Sequence, residues 1–159
     1  MFTLQDVLDM AAQIERNGEK VYRQALARTD DPELAEMLAW MADEEARHAA
    51  HFEDQRLRLA GEEDNILLEE LGRLMLESIV GDRGFSLEDV DFNQIAEVNE
   101  LLQVMIDFER DTLQFYRLFQ SLIANESERH RLGRIIADEE EHIRKLLTCR
   151  DENLACHKR

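Results

Sequence analysis

The stretch that decides the fold is MADEEARHAAHF, residues 41–52. Within it Glu45 and His48 interrupt an apolar stripe that runs through Leu34, Leu38, Met41, Phe52, Gln55 and Leu59. Steps of three and four residues keep side chains on one helix face, so this stripe predicts an amphipathic helix with a carboxylate and an imidazole on its buried side. A second stretch, IIADEEEHIRKL at residues 135–146, places Glu139 and His142 in the same way between Leu132, Ile135, Leu146 and Cys149. Two further stripes carry one glutamate each. Glu15 sits among Leu4, Leu8, Ala11, Gly18, Tyr22 and Ala25, and Glu109 among Val98, Leu102, Met105, Thr112, Tyr116, Phe119 and Ile123.

These interruptions form an internal repeat. Glu15 to Glu45 and Glu109 to Glu139 are both 30 residues, Glu15 to His48 and Glu109 to His142 are both 33, and the halves are offset by 94 throughout. Glu15-Arg16 with Tyr22-Arg23 recurs as Glu109-Arg110 with Tyr116-Arg117.

Turn signals fall where the repeat requires them. Helix 1 is expected from about Leu4 to Arg28, capped by Thr3 with Asp6 three residues on. Asp30-Asp31-Pro32 ends it and starts helix 2, with Asp31 as N-cap and Pro32 at the first helical position, and Gly61 stops helix 2 after about Ala60. Residues 61–92 form a long connection holding a shorter amphipathic segment, Asn65 to Val80. Helix 3 is expected from about Phe92 to Ala124, and helix 4 follows the break at Asn125 to Ser127 and runs to about Arg150, leaving a short polar tail. Residues face each other across a helical hairpin only when equidistant from its turn. The midpoints, residues 30 and 124, lie at the two turns. The expected fold is therefore all-α, a single domain over residues 1–159 in which two hairpins and a long helix-containing crossover between helices 2 and 3 make an antiparallel four-helix bundle.

Composition excludes several classes of function. One proline and six glycines in 159 residues, with 44% hydrophobic and 35% charged residues, suit a helical bundle rather than a β-sandwich or a disordered chain. The 36 acidic and 19 basic residues give a net charge of −17, which repels a phosphate backbone and argues against nucleic acid as a partner. No uncharged stretch approaches the ~20 residues of a membrane helix, and the N-terminus has no export signal, so no membrane partner is expected and the expected location is cytoplasmic. Cys149 and Cys156 match neither a CxxC redox pair nor a zinc ribbon.

Four unpaired carboxylates in a helical core would each cost several kcal/mol of desolvation and would repel one another. Two divalent cations offset that charge. Glu-x-x-His sets its two side chains about 4.5 Å apart along the axis on one face, so the carboxylate is placed to bridge two metals while the imidazole holds one. Two such pairs and two single glutamates make a six-ligand dinuclear site: Glu15, Glu45, His48, Glu109, Glu139 and His142.

This ligand set resembles that of ferritin-like di-iron carboxylate bundles, and the chain is most similar to the rubrerythrin and bacterioferritin branch, through Glu15, Tyr22, Glu45-Ala46-Arg47-His48, Glu109, Tyr116 and Glu139-Glu140-Glu141-His142. The resemblance implies two iron ions, with manganese or zinc as substitutes. Glu15 and His48 would lie on one iron, Glu109 and His142 on the other, and Glu45 and Glu139 would bridge. It implies that Tyr22 and Tyr116 are hydrogen-bonding neighbours of the ligands, with a catalytic role. Glu44, Glu140 and Glu141 read as solvated face, His130 and His157 as surface, and His51 lies off the stripe. Cys149 and Cys156 are read as unrelated to the site.

Departures from the family pattern refine the expectation. Peroxide-reducing rubrerythrins carry an extra glutamate three residues after the position of Glu109, where this chain has Thr112. The sequence has no CxxC pair of the kind a rubredoxin domain carries, so a separate electron donor, rubredoxin-like or a flavoprotein, is expected. Ala46 stands where bacterioferritins place a haem-ligating methionine, and few residues follow helix 4, so neither haem nor an ordinary storage cage is expected. A homo-oligomer, as a dimer, is expected, with the apolar segment Ile66 to Ile79 either covering the bundle or making the contact. The leading function is a peroxidase or ferroxidase, an oxidoreductase of oxidative-stress defence. The alternatives are iron sequestration or delivery, and a metal-stabilised structural bundle.

Overall fold

A computed structural model describes residues 4–59 and 98–156. Four helices account for nearly all of them: α1 (Leu4–Leu26), α2 (Pro32–Leu59), α3 (Val98–Leu122) and α4 (Glu126–Cys156). There is no strand among the described residues. The chain divides into two compact units, one holding α1 and α2 and the other α3 and α4.

Each unit is a hairpin built around a capped turn. Asp31 Oδ1 accepts the backbone N–H groups of Glu33 at 2.9 Å and Leu34 at 3.3 Å, so it caps α2 as its sequence position requires. Pro32 follows at the first helical position, where a missing N–H is harmless. The second hairpin repeats the device 94 residues on. Asn125 Oδ1 accepts the N–H groups of Ser127 at 3.0 Å and Glu128 at 3.2 Å. The sequence reads Asn125 only as a break in the pattern; it is the N-cap of α4.

The helix ends differ from the sequence-based expectation in three places. α1 stops at Leu26, where Arg28 N–H turns back to the Ala25 carbonyl in a tighter closing turn. α3 ends at Leu122, two residues early, while its expected start near Phe92 lies outside the described residues. α4 runs past Arg150 to Cys156, because no glycine or proline follows Arg150 to stop it. The expected Thr3 cap, the Gly61 stop and the crossover segment Asn65 to Val80 lie outside the described residues.

The two hairpins share a frame and fill it differently. Ala11, Ala12, Ala25 and Ala42 are buried in the first, and the positions 94 residues later are the buried Met105, Ile106, Phe119 and Ile136. Aromatic packing follows from this, with Phe115 against Tyr116 at 5.5 Å and against Phe119 at 6.3 Å between ring centroids. Charged pairs also span the two helices of each hairpin, Arg117 to Glu140 in the second and three in the first. The Arg16 guanidinium reaches both carboxylate oxygens of Glu53, Arg23 reaches Asp43 and Arg56 reaches Asp9. All three are solvent-exposed, so each contributes no more than about 1 kcal/mol.

Because both turns rest on one side-chain cap, Asp31→Ala and Asn125→Ala should each lose about 1 kcal/mol. Thermal melting should show a fall of about 2–4 °C for each, whereas an exposed substitution past the first turn, such as Glu36→Ala, should stay near the parent value.

Candidate metal centre

Helical spacing alone brings the first trio together. Glu15 lies midway along α1, and Glu45 and His48 lie one turn apart on the same face of α2. All three are buried, at 0%, 1% and 4% exposure. Each offers a ligand atom within 4.8 Å of the other two, and His48 Nδ1 stands 3.4 Å from Glu15 Oε2.

The second trio has the same construction. Glu109 of α3 and Glu139 and His142 of α4 are each 0% exposed, again with ligand atoms within 4.8 Å of one another. His142 Nδ1 lies 3.1 Å from Glu139 Oε2 and 3.5 Å from Glu109 Oε1. Burial, and next the charge of Glu139, push the Glu109 carboxyl from its ordinary 4.5 up to about 7, and the His142 imidazole only partly opposes them.

Tyr22 and Tyr116 are buried one turn beyond the single glutamates' neighbours Gly18 and Thr112. His130 is exposed and His51 is half-buried with its ring edge-on to Phe52. Cys149 is half-buried and not in a disulfide; Cys156 and His157 have no described side chain. Glu44 corrects the sequence reading. It is buried at 7% rather than solvated, because one step from Glu45 still faces partly inward and Arg47, one turn on, meets its charge. Glu140 behaves as read, exposed and paired with Arg117 at 2.7 Å.

A donor set of carboxylates and neutral imidazoles suits iron, manganese and zinc, and does not select among them. The residues fit such a cation on physical grounds. Two of the three donors in each trio are carboxylates with almost no solvent to hold their charge, and burial raises the affinity of Glu109 for a proton. No helix among the described residues is long and apolar enough to cross a membrane.

Comparison with known proteins agrees with this geometry. A solved structure from Thermotoga maritima, described as a ferritin-like diiron-carboxylate protein, matches with a TM-score of 0.71 at 22% identity, covering 95% of this chain and 96% of that one. The fold is thus the ferritin-like, all-α four-helix bundle. The family model for rubrerythrin matches residues 6–149, and the chain belongs to the rubrerythrin family. No curated protein matched.

The raised Glu109 carboxyl fixes a pH dependence for the metal-free protein. A proton held more tightly in the folded than in the unfolded chain adds stability that is complete below about pH 4.5 and is lost as pH rises through about 7. Chelator-stripped protein should therefore melt at a higher temperature at pH 5 than at pH 8. Glu109→Gln, which needs no proton, should flatten that difference.

Proposed function

We propose that the two trios close on one pair of metal ions and that the protein is a non-haem di-iron oxidoreductase reacting with peroxide or dioxygen. The observation that carries this reading is the buried trio of two carboxylates and one imidazole, present in each hairpin at a 94-residue offset. One such trio supplies too few donors for two metals. Two supply four carboxylates and two imidazoles, whose charge of −4 balances two divalent cations.

In this reading Glu15 and His48 hold one metal, Glu109 and His142 the other, and Glu45 and Glu139 bridge. When bound, the iron pair supplies electrons to the oxidant. The chain's own residues hold the ions at a fixed separation and keep bulk water from them with the apolar layers of Leu8, Met41, Leu102 and Met105. Glu109 also takes up a proton when the metal leaves and gives it up when the metal returns. Electrons come from a separate donor, rubredoxin-like or a flavoprotein, and the protein works without haem, in the cytoplasm, as a homodimer. Tyr22 and Tyr116, buried in the same stripes, orient ligand groups by hydrogen bonding.

Anaerobic titration with ferrous iron should give two ions per chain. Glu45→Ala or Glu139→Ala should lower occupancy at both sites, while His48→Ala should weaken mainly one. Stopped-flow mixing of the ferrous protein with peroxide and with dioxygen then ranks the oxidants. An oxidised protein that turns over with a donor and keeps its iron supports the oxidoreductase; iron release or mineral growth after oxidation supports sequestration. A protein that binds two metals and reacts with neither oxidant is a structural bundle.

A further inference from the structure

Of the stripe positions buried in both hairpins that differ across the 94-residue repeat, one changes in polarity and not only in size. In α1 the residue three beyond Glu15 is Gly18, and in α3 the residue three beyond Glu109 is Thr112. Thr112 is 1% exposed, and its Oγ1 is buried with no hydrogen-bond partner among the described residues. A threonine inside a helix ordinarily returns its hydroxyl to a carbonyl three or four residues back. This one does not, although Thr148 of α4 does so, to Arg144 at 3.0 Å.

A buried hydroxyl left unpaired is unfavourable, and valine would fill the same volume without that penalty. Thr112 lies one helical turn beyond Glu109 on the same helix face. Its hydroxyl is therefore a hydrogen-bonding group placed beside a metal-binding carboxylate and used by nothing else described in the hairpin.

We propose that Thr112 is a ligand-positioning residue, its hydroxyl reserved for a hydrogen bond to a small anionic oxygen or nitrogen ligand held at the Glu109 side of the metal pair. Gly18 offers no such group, so the duplicated site is chemically one-sided. A hydroxyl both donates and accepts, so it serves a ligand in either protonation state without adding a charge to a core that already holds four carboxylates. The inference rests on the di-metal reading, and its test has one arm that needs no metal.

The variants are Thr112→Val, which keeps shape and removes the hydroxyl, and Thr112→Ser, which keeps the hydroxyl. In the metal-free protein Thr112→Val should melt higher than the parent, by about 2–4 °C, since an unpaired buried group is removed. A lower melting temperature would show that the hydroxyl has a protein partner and would overturn the proposal. In the iron-loaded, oxidised protein, azide is the probe, followed by its charge-transfer absorption. Thr112→Val should bind it about tenfold more weakly at unchanged iron content, the effect of losing one hydrogen bond, and Thr112→Ser should stay within about twofold of the parent. Two irons per chain with equal azide affinity in all three proteins would overturn the role of Thr112 alone. A parent protein that fails to take up two irons would overturn the di-metal reading and this inference with it.

Discussion

Everything in this molecule turns on charge held away from water. Glu15, Glu45, Glu109 and Glu139 sit at 0–1% exposure in helices whose inward residues are mostly apolar. An ionised carboxylate in such surroundings is paired, neutralised by a proton or bound to a cation. His48 and His142 stand against these acids, and at Glu109 the neighbouring His142 only partly offsets burial. The Glu109 carboxyl shows the consequence, since burial there favours the protonated form up to about neutrality. In the proposed reading a pair of divalent metals would resolve the same constraint more completely, each hairpin offering two carboxylates and one imidazole.

Duplication explains how the constraint is met with so little local machinery. Each hairpin needs a single glutamate, a Glu-x-x-His pair and a cap that fixes the turn at the right distance between them. Asp31 and Asn125 fill the last role with the same geometry in both halves. Once the register of the turn is set, the ligand heights follow from the 1.5 Å rise per residue. The remaining positions are free to differ, and they do. Alanines in the first hairpin correspond to Met105, Ile106 and Phe119 in the second, and Gly18 corresponds to Thr112. The two hairpins match at the glutamates and histidines of the trios and at the caps, and differ in the packing residues around them.

Much of this was legible in the sequence because it depends on spacing alone. The stripes, the Asp31-Pro32 turn and the two trios follow from periodicities of three and four and from equidistance about the turns. What the sequence hid depends on context. Asn125 looks like any loop asparagine until its Oδ1 is seen to accept two N–H groups. Arg150 looks like a helix end because the tail is polar, but polar residues without glycine or proline continue a helix as readily as they end one, and α4 reaches Cys156. Glu44 reads as surface because it lies one step off the stripe, and its burial becomes possible only through Arg47. The unpaired Thr112 hydroxyl is invisible to pattern, since threonine usually satisfies itself within its own helix.

The central claim is that six side chains from two hairpins hold two metals as one centre. X-ray absorption on the anaerobically iron-loaded protein tests it most directly, because scattering between neighbouring irons reports their separation. The account predicts an iron–iron distance of about 3.5–4 Å, the usual spacing of two-metal sites, within a shell of oxygen and nitrogen donors only. Iron without an iron neighbour at that distance would mean that each hairpin binds metal alone, and would contradict it.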